Sequence, residues 1–242
     1  MNKAIELSNI TKRFPLYDDR GSEQVRDGFF YALDDVSLSI EDGECAIIAG
    51  ANGSGKSILM SIVAGLEEPT LGTVKTSARV GLVFQEPDAQ ILGETPQEDV
   101  AFGPRNLGFS KTETNLRVEN ALFQTGLSLK AGFPARTLSG GEKRRLAAAG
   151  VLAMDAQIII FDEPYANMDY PGVLQVNCLF KELILGGKTL IILTHELEKC
   201  MSLANRFIVL YKGKKVYDAD VSFSEDIEKW GIRNPLRKGL IW

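Results

Sequence analysis

Gly50-Ala51-Asn52-Gly53-Ser54-Gly55-Lys56-Ser57 fits the spacing G-x-x-x-x-G-K-[ST], with Gly50, Gly55, Lys56 and Ser57 at the fixed positions. Each type has a chemical reason. Glycines let successive backbone N–H groups turn inward as a nest for an anion. A helix starting near Lys56 adds the partial positive charge of its N-terminus. The lysine ammonium suits the β- and γ-phosphates of a nucleotide, and the Ser57 hydroxyl suits Mg²⁺. The four fixed positions co-occur by chance in roughly one chain in a hundred of this size. The flanks lower that figure, because the apolar run Cys45–Ala49 precedes the glycines and helically spaced Lys56–Ala64 follows them.

Two further strand ends carry groups of matching chemistry. Ile158–Phe161 runs into Asp162-Glu163. Carboxylates are costly to desolvate, so two adjacent acids on a buried strand make sense where its end opens onto a metal. Asp162 would hold Mg²⁺, directly or through water, and Glu163 would polarise a water attacking the γ-phosphate. The plainer alternative is that both acids begin a solvated loop, helped by Pro164. The only histidine of the chain, His195, follows the run Thr189–Leu193. Ligands of open α/β sheets bind outside the carboxyl ends of the strands, which makes His195 a γ-phosphate contact rather than a surface histidine. Leu138-Ser139-Gly140-Gly141-Glu142 has capping-box spacing, and its two glycines leave bare amides at a helix start.

These groups need elements to hold them. Cys45–Ala49, Val80–Phe84, Ile158–Phe161 and Thr189–Leu193 are continuous apolar runs, as in a parallel sheet covered on both faces. Ala4–Phe14 and Tyr31–Ile40 alternate instead and read as half-exposed antiparallel strands, joined by a polar hairpin loop over Tyr17–Gly28. Thr95-Pro96-Gln97-Glu98 has the form of a helix start and opens a helical stretch to about Ala131. The tail beyond Asp218 shows no pattern.

The bulk properties exclude several classes. At 242 residues, one or at most two domains fit. No apolar run approaches the ~18 residues of a membrane span, and no signal-peptide pattern opens the chain. Cys45, Cys178 and Cys200 lack CxxC spacing, so neither a disulfide framework nor a zinc site is expected, and a reducing cytosol is the expected home. A net charge of −5 gives no electrostatic footprint for nucleic acid.

Taken in order, these motifs resemble the ATP-binding cassette (ABC) ATPases over nearly the whole chain. The resemblance implies an α/β fold: a P-loop NTPase core with a mainly parallel sheet, an N-terminal antiparallel β subdomain and a helical signature subdomain. It implies an ABC ATPase domain over residues 1–218, with the helical subdomain inserted at about 88–155, and a short C-terminal extension over 219–242. It also implies ATP and Mg²⁺ as cofactors. Phe14 would stack on adenine, with Tyr17 and Tyr31 as competitors. Gly50, Ala51, Asn52, Gly53, Ser54, Gly55, Lys56, Ser57 and Ile58 would cradle the phosphates. Ser57, Gln85 and Asp162 would hold the metal, and Glu163 and His195 would act on the water. Ser139, Gly140, Gly141 and Glu142 would complete the site of a second cassette, homodimeric or heterodimeric, and Asp169 would cross the dimer.

A narrower resemblance is carried by Val80–Ile91, Glu98–Gly103 and Ala149–Met154, which look like energy-coupling-factor (ECF) transporter ATPases. It implies a peripheral subunit on the cytoplasmic face of the cell membrane. Such a subunit energises the uptake of a vitamin or transition-metal ion through integral membrane partners that choose the cargo. The alternatives are a soluble ABC ATPase of DNA repair or translation, and a non-hydrolysing partner cassette. The departures are Ile58 where threonine is usual, Glu142 for glutamine, and Ala166-Asn167-Met168-Asp169 in the cross-dimer loop; Ile58 is expected to lower nucleotide affinity modestly.

Overall fold

The strands and helices follow from where apolar side chains recur along the chain. In the computed structural model, which describes residues 2–16, 23–220 and 226–235, the elements run as follows. The first part holds β1 (Lys3–Pro15), β2 (Val25–Arg26), β3 (Phe29–Glu41), β4 (Cys45–Ala49), α1 (Lys56–Val63) and β5 (Leu71–Thr76). The middle holds β6 (Val80–Val83), α2 (Pro96–Asn106), α3 (Lys111–Gln124), α4 (Gly140–Ala153), β7 (Ile158–Asp162) and α5 (Tyr170–Leu185). The last part holds β8 (Thr189–Leu193), β9 (Arg206–Tyr211) and β10 (Lys214–Asp220), followed by a 3₁₀ turn at Ile227–Trp230. The chain divides into two units, Met1–Ser77 with Thr189–Trp242, and Ala78–Lys188.

The first unit holds two kinds of sheet. β1 pairs antiparallel with β3 (Leu7↔Leu38, Ile10↔Val36) and with β5 (Leu7↔Val74), as the alternation predicts. Val25–Arg26 also pairs with Phe30 and Phe29, so the segment read as a plain hairpin loop contains a short strand. Of that segment, residues 17–22 lie outside the described residues. In the second sheet β4 lies between β8 and β9, parallel to both, and β10 closes the edge antiparallel to β9. All of β4 and β8 is buried, which is why both read as continuous apolar runs.

The second unit pairs β6 with β7 in parallel and packs helices around its own core. Val100 and Ala101 of α2, Val118, Ala121 and Leu122 of α3, and Leu146, Ala149 and Ala153 of α4 meet in one cluster. Thr95 caps α2 as expected: its Oγ1 accepts a hydrogen bond from the Glu98 N–H at 3.3 Å, with Pro96 in the first turn. The three cysteines form no disulfide. Among the described residues no helix is long and apolar enough to cross a membrane.

Candidate functional site

In the first unit, β4 and β8 run side by side with Ile48 opposite Leu193, and the Thr194 N–H donates to the Ile48 carbonyl at 3.3 Å. The loop Gly50–Gly55 and the pair Thr194-His195 therefore leave the same end of neighbouring parallel strands. His195 is exposed there, whereas Thr194 is buried and its Oγ1 accepts from the Glu196 N–H at 3.0 Å. Sequence order alone separates these residues by more than a hundred positions; the parallel register brings them to one edge.

The loop itself is shaped for an anion. A side chain at Gly50 would bring its Cβ to 2.3 Å from the Leu210 carbonyl oxygen and 2.4 Å from Ser54 Oγ, so only glycine fits. Gly55 sits at φ +102°, in the left-handed region, where it starts α1 with no side-chain cap. The first turn of α1 contains no acidic residue, so its amides are left for a ligand. Lys56 is buried, and its Nζ donates to the Gly50 carbonyl at 2.5 Å and the Ala51 carbonyl at 3.3 Å. Ser54 Oγ is buried without a hydrogen-bond partner. An orphaned hydroxyl inside a glycine-walled loop with a lysine at its mouth fits the oxygens of a phosphate chain. Ser57 is exposed, and Ile58 is half-buried.

Of the aromatics weighed for adenine stacking, Phe14 is 39% exposed and opposite Phe30, with Lys12 Nζ 5.4 Å from its ring centre. Tyr31 is buried, the Arg26 guanidinium lies 3.8 Å over its ring, and Arg13 donates to its hydroxyl at 3.3 Å. That hydrogen bond from Arg13 and another from Arg26 hold the phenol below its usual range. Phe14 thus presents the open face. Tyr17 lies outside the described residues.

In the second unit, β6 and β7 align Val83 with Phe161, so Gln85 and Asp162-Glu163 also leave the same end of adjacent parallel strands. Asp162 is half-buried and Glu163 is buried. Glu163 has φ +45°, a conformation that a non-glycine residue adopts at a cost and that recurs at functional sites. It opens a tight turn in which the Ala166 N–H donates to the Glu163 carbonyl at 3.2 Å. Tyr165, fully buried, anchors that turn: its hydroxyl donates to Asn177 Oδ1 at 2.6 Å, and its ring meets Phe180 at 6.2 Å. Asp169 is exposed, and its Oδ1 accepts from the Gly172 N–H at 3.0 Å as the N-cap of α5. One carboxylate oxygen thus has a structural duty that the sequence did not reveal. Gln85 is exposed, on a loop pinned by Gln90, whose Nε2 donates to the Leu82 carbonyl at 2.9 Å and whose Oε1 accepts from the Phe84 N–H at 3.2 Å.

Ser139-Gly140-Gly141-Glu142 forms the full capping box at the start of α4. Ser139 Oγ accepts from the Glu142 N–H at 3.3 Å, and Glu142 Oε2 accepts from the Ser139 N–H at 2.9 Å. Lys130, 2.5 Å from Glu142 Oε1, holds that carboxyl below its usual range. Ser139 and Gly140 are exposed, and nothing lies within 4 Å of where a Gly140 side chain would begin. The fold of this unit does not itself demand glycine there. Within this unit Gln85 and Asp162 would offer amide and carboxylate oxygens, hard donors of the kind Mg²⁺ prefers.

Sequence reasoning missed Arg144, on the buried side of α4. Its Nη2 donates to the Gln85 carbonyl at 3.0 Å and its Nη1 to the Ala166 carbonyl at 3.3 Å.

Residues 33–166 match the family model for the ABC transporter domain. An energy-coupling factor transporter ATP-binding protein EcfA2 of Methanospirillum hungatei is 41% identical over 198 residues, covering 76% of this chain; the chain spans only 50% of that relative's length. An energy-coupling factor transporter ATP-binding protein EcfA of Carboxydothermus hydrogenoformans is 36% identical, over 98% of this chain and 89% of its own. Among solved structures, cbiO1 of Clostridium perfringens, described as part of the ABC transporter complex cbiONQ, superimposes with a TM-score of 0.78. It is 29% identical, over 91% of this chain and 90% of that one.

Proposed function

Because the chain belongs to the ABC transporter family, as an ATP-binding subunit, we propose that it hydrolyses MgATP to energise an importer of the energy-coupling-factor type, working as a pair of cassettes on integral membrane partners. The observation that carries the catalytic reading is the register of β4 against β8. It sets the glycine loop and His195 at one strand end, with the α1 amides, Lys56 and the orphaned Ser54 hydroxyl ready for phosphate oxygens.

The roles follow from chemistry. Phe14 stacks on the adenine, and the amides of Gly50–Ile58 with Lys56 take the phosphate chain. Ser57, Gln85 and Asp162 are the residues that would hold magnesium, which would offset charge on the phosphate oxygens. Glu163, buried and fixed by its turn, accepts the proton of the attacking water, and His195 orients the γ-phosphate. The open amides of Gly140 and Gly141 serve the partner cassette's γ-phosphate, and the exposed Asp169 crosses to that partner. Loss of the γ-phosphate removes what holds the pair closed, so hydrolysis reopens it; one ligand binds two states unequally, and that difference does the work.

The relatives' names carry the importer reading, and the apolar groove of the second unit agrees with it. Leu92 and Phe102 are exposed beside Gly103, Val151 and Met154, a surface suited to helices of a membrane partner. The catalytic reading is tested with Glu163→Gln and Lys56→Ala. Glu163→Gln is expected to keep MgATP binding within about threefold and to lose at least a hundredfold in turnover, while Lys56→Ala loses binding itself. Wild-type turnover by Glu163→Gln would remove the base assignment. Affinity purification from membranes tests the importer: recovery of an integral membrane protein supports it, and recovery of ribosomes or DNA instead overturns it.

A further inference from the structure

Arg144 is buried to 7% exposure in the second turn of α4, and among the described residues no carboxylate pairs with it. Its two hydrogen bonds go to neutral backbone carbonyls, and Nε has no partner. Burial alone pulls its guanidinium below the ordinary range. A buried cation with only neutral acceptors is a poor stabiliser, and an apolar side chain of similar volume commonly serves stability as well or better. The residue therefore calls for another explanation, and the identity of its acceptors supplies one.

One acceptor, Gln85, is on the loop that leaves β6; the other, Ala166, closes the turn opened by Glu163. Arg144 itself lies two residues beyond Glu142 on the same helix. A planar fork with separate Nη donors holds two carbonyls of different segments at a fixed spacing, whereas a flexible ammonium imposes no such spacing. The three segments it joins are those proposed above to sense the metal, activate water and meet the partner cassette.

We propose that Arg144 is a positioning residue that locks α4, the helix opened by the signature Ser139–Glu142, to both the Gln85 loop and the Glu163–Asp169 turn, so that the position of the signature sets the geometry of the hydrolytic groups. This rests on the function proposed above. It assigns to Arg144 a mechanical link and no contact with nucleotide.

The test compares Arg144→Met and Arg144→Lys with wild type in the full chain. Hydrogen–deuterium exchange without nucleotide reads the link directly. In Arg144→Met, peptides covering 84–90 and 163–169 are expected to exchange at least tenfold faster while those from α2 and α3 stay unchanged. For MgATP, kcat falls at least tenfold with KM within threefold, because the P-loop is untouched. Arg144→Lys, which keeps the charge without the rigid fork, falls between the two. Unchanged exchange in both loops, or faster exchange spread equally through α2 and α3, would overturn the link, the latter by showing general loosening. The Glu163→Gln control separates the two readings. If that variant turns over ATP like wild type the function reading fails on its own, whereas a dead Glu163→Gln beside a fully active Arg144→Met sinks only the Arg144 proposal.

Discussion

At the residue scale, the charges that hold the first unit together are separate from those proposed to act on a ligand. Arg206 donates from Nε to Asp218 Oδ1 at 2.7 Å and from Nη2 to Oδ2 at 3.0 Å; its Nη1 reaches the Ser39 carbonyl at 2.7 Å. Lys215 adds a donor to Asp218 Oδ2 at 2.8 Å. Burial pulls the Asp218 carboxyl up, but the hydrogen bonds of Arg206 and Lys215 outweigh it and hold the group below the usual range. The folded pKa is thus lower than the unfolded one. The stabilisation is complete above the unfolded value of about 4 and is lost as pH falls through the lower folded value. Asp218→Asn is expected to lower unfolding free energy by about 2 kcal/mol at pH 7. Urea titrations of both proteins should show the gap narrowing as pH drops below about 4. A gap that stays constant with pH would mean that the charge is not what the pair contributes.

At the element scale, the parts most legible in the sequence were those buried on both faces. β4, β7 and β8 announce themselves as apolar runs, and the motifs at their ends inherit a position from them. β5 and β10 do not: Leu71–Thr76 and Lys214–Asp220 are largely exposed edge strands whose partners, not their own pattern, make them strands. The Asp169 cap is local, to the N–H three residues on, but the role of Arg144 as a link was illegible because it depends on where distant backbone atoms come to lie. The tail was illegible for the same reason. Its 3₁₀ turn buries Ile227 and Trp230, and Ile232 follows them into the core. Trp230 packs 5.8 Å from Tyr217, which packs 5.9 Å from Phe207 of β9. Gly231 lies against the phosphate loop, where an added Cβ would meet the Ala51 Cβ at 3.4 Å. Residues 221–225 and 236–242, including Gly239–Trp242, lie outside the described residues. Trp230→Ala should cost about 3 kcal/mol, as truncating a buried aromatic does, and Trp230→Phe less than half of that. A melting temperature unmoved by Trp230→Ala would show that the tail only rests on the surface.

At the scale of the whole molecule, the residues proposed for hydrolysis are divided between the two units. The P-loop and His195 belong to the first, and Gln85, Asp162, Glu163 and the signature to the second. The signature differs from the rest in having no use inside its own unit for the glycine at 140, since the space beside it is open. On the function proposed above, what approaches it from outside is the nucleotide of a second cassette. Ligand bound only to the folded state adds RT ln(1 + [L]/Kd), about 2.7 kcal/mol at a hundredfold excess over Kd, whatever the protein concentration. A pair closed around nucleotide adds a further gain that grows with protein concentration. Glu163→Gln, which holds MgATP without consuming it, is therefore expected to sediment as a dimer with MgATP and as a monomer without. Gly140→Arg in that background should leave the melting temperature and the single-chain ATP affinity unchanged, because its side chain enters open space, and should abolish the dimer by occupying the partner's approach. A dimer that survives Gly140→Arg would place the contact elsewhere, and a variant that no longer binds ATP as a monomer would mean that Gly140 serves its own site after all.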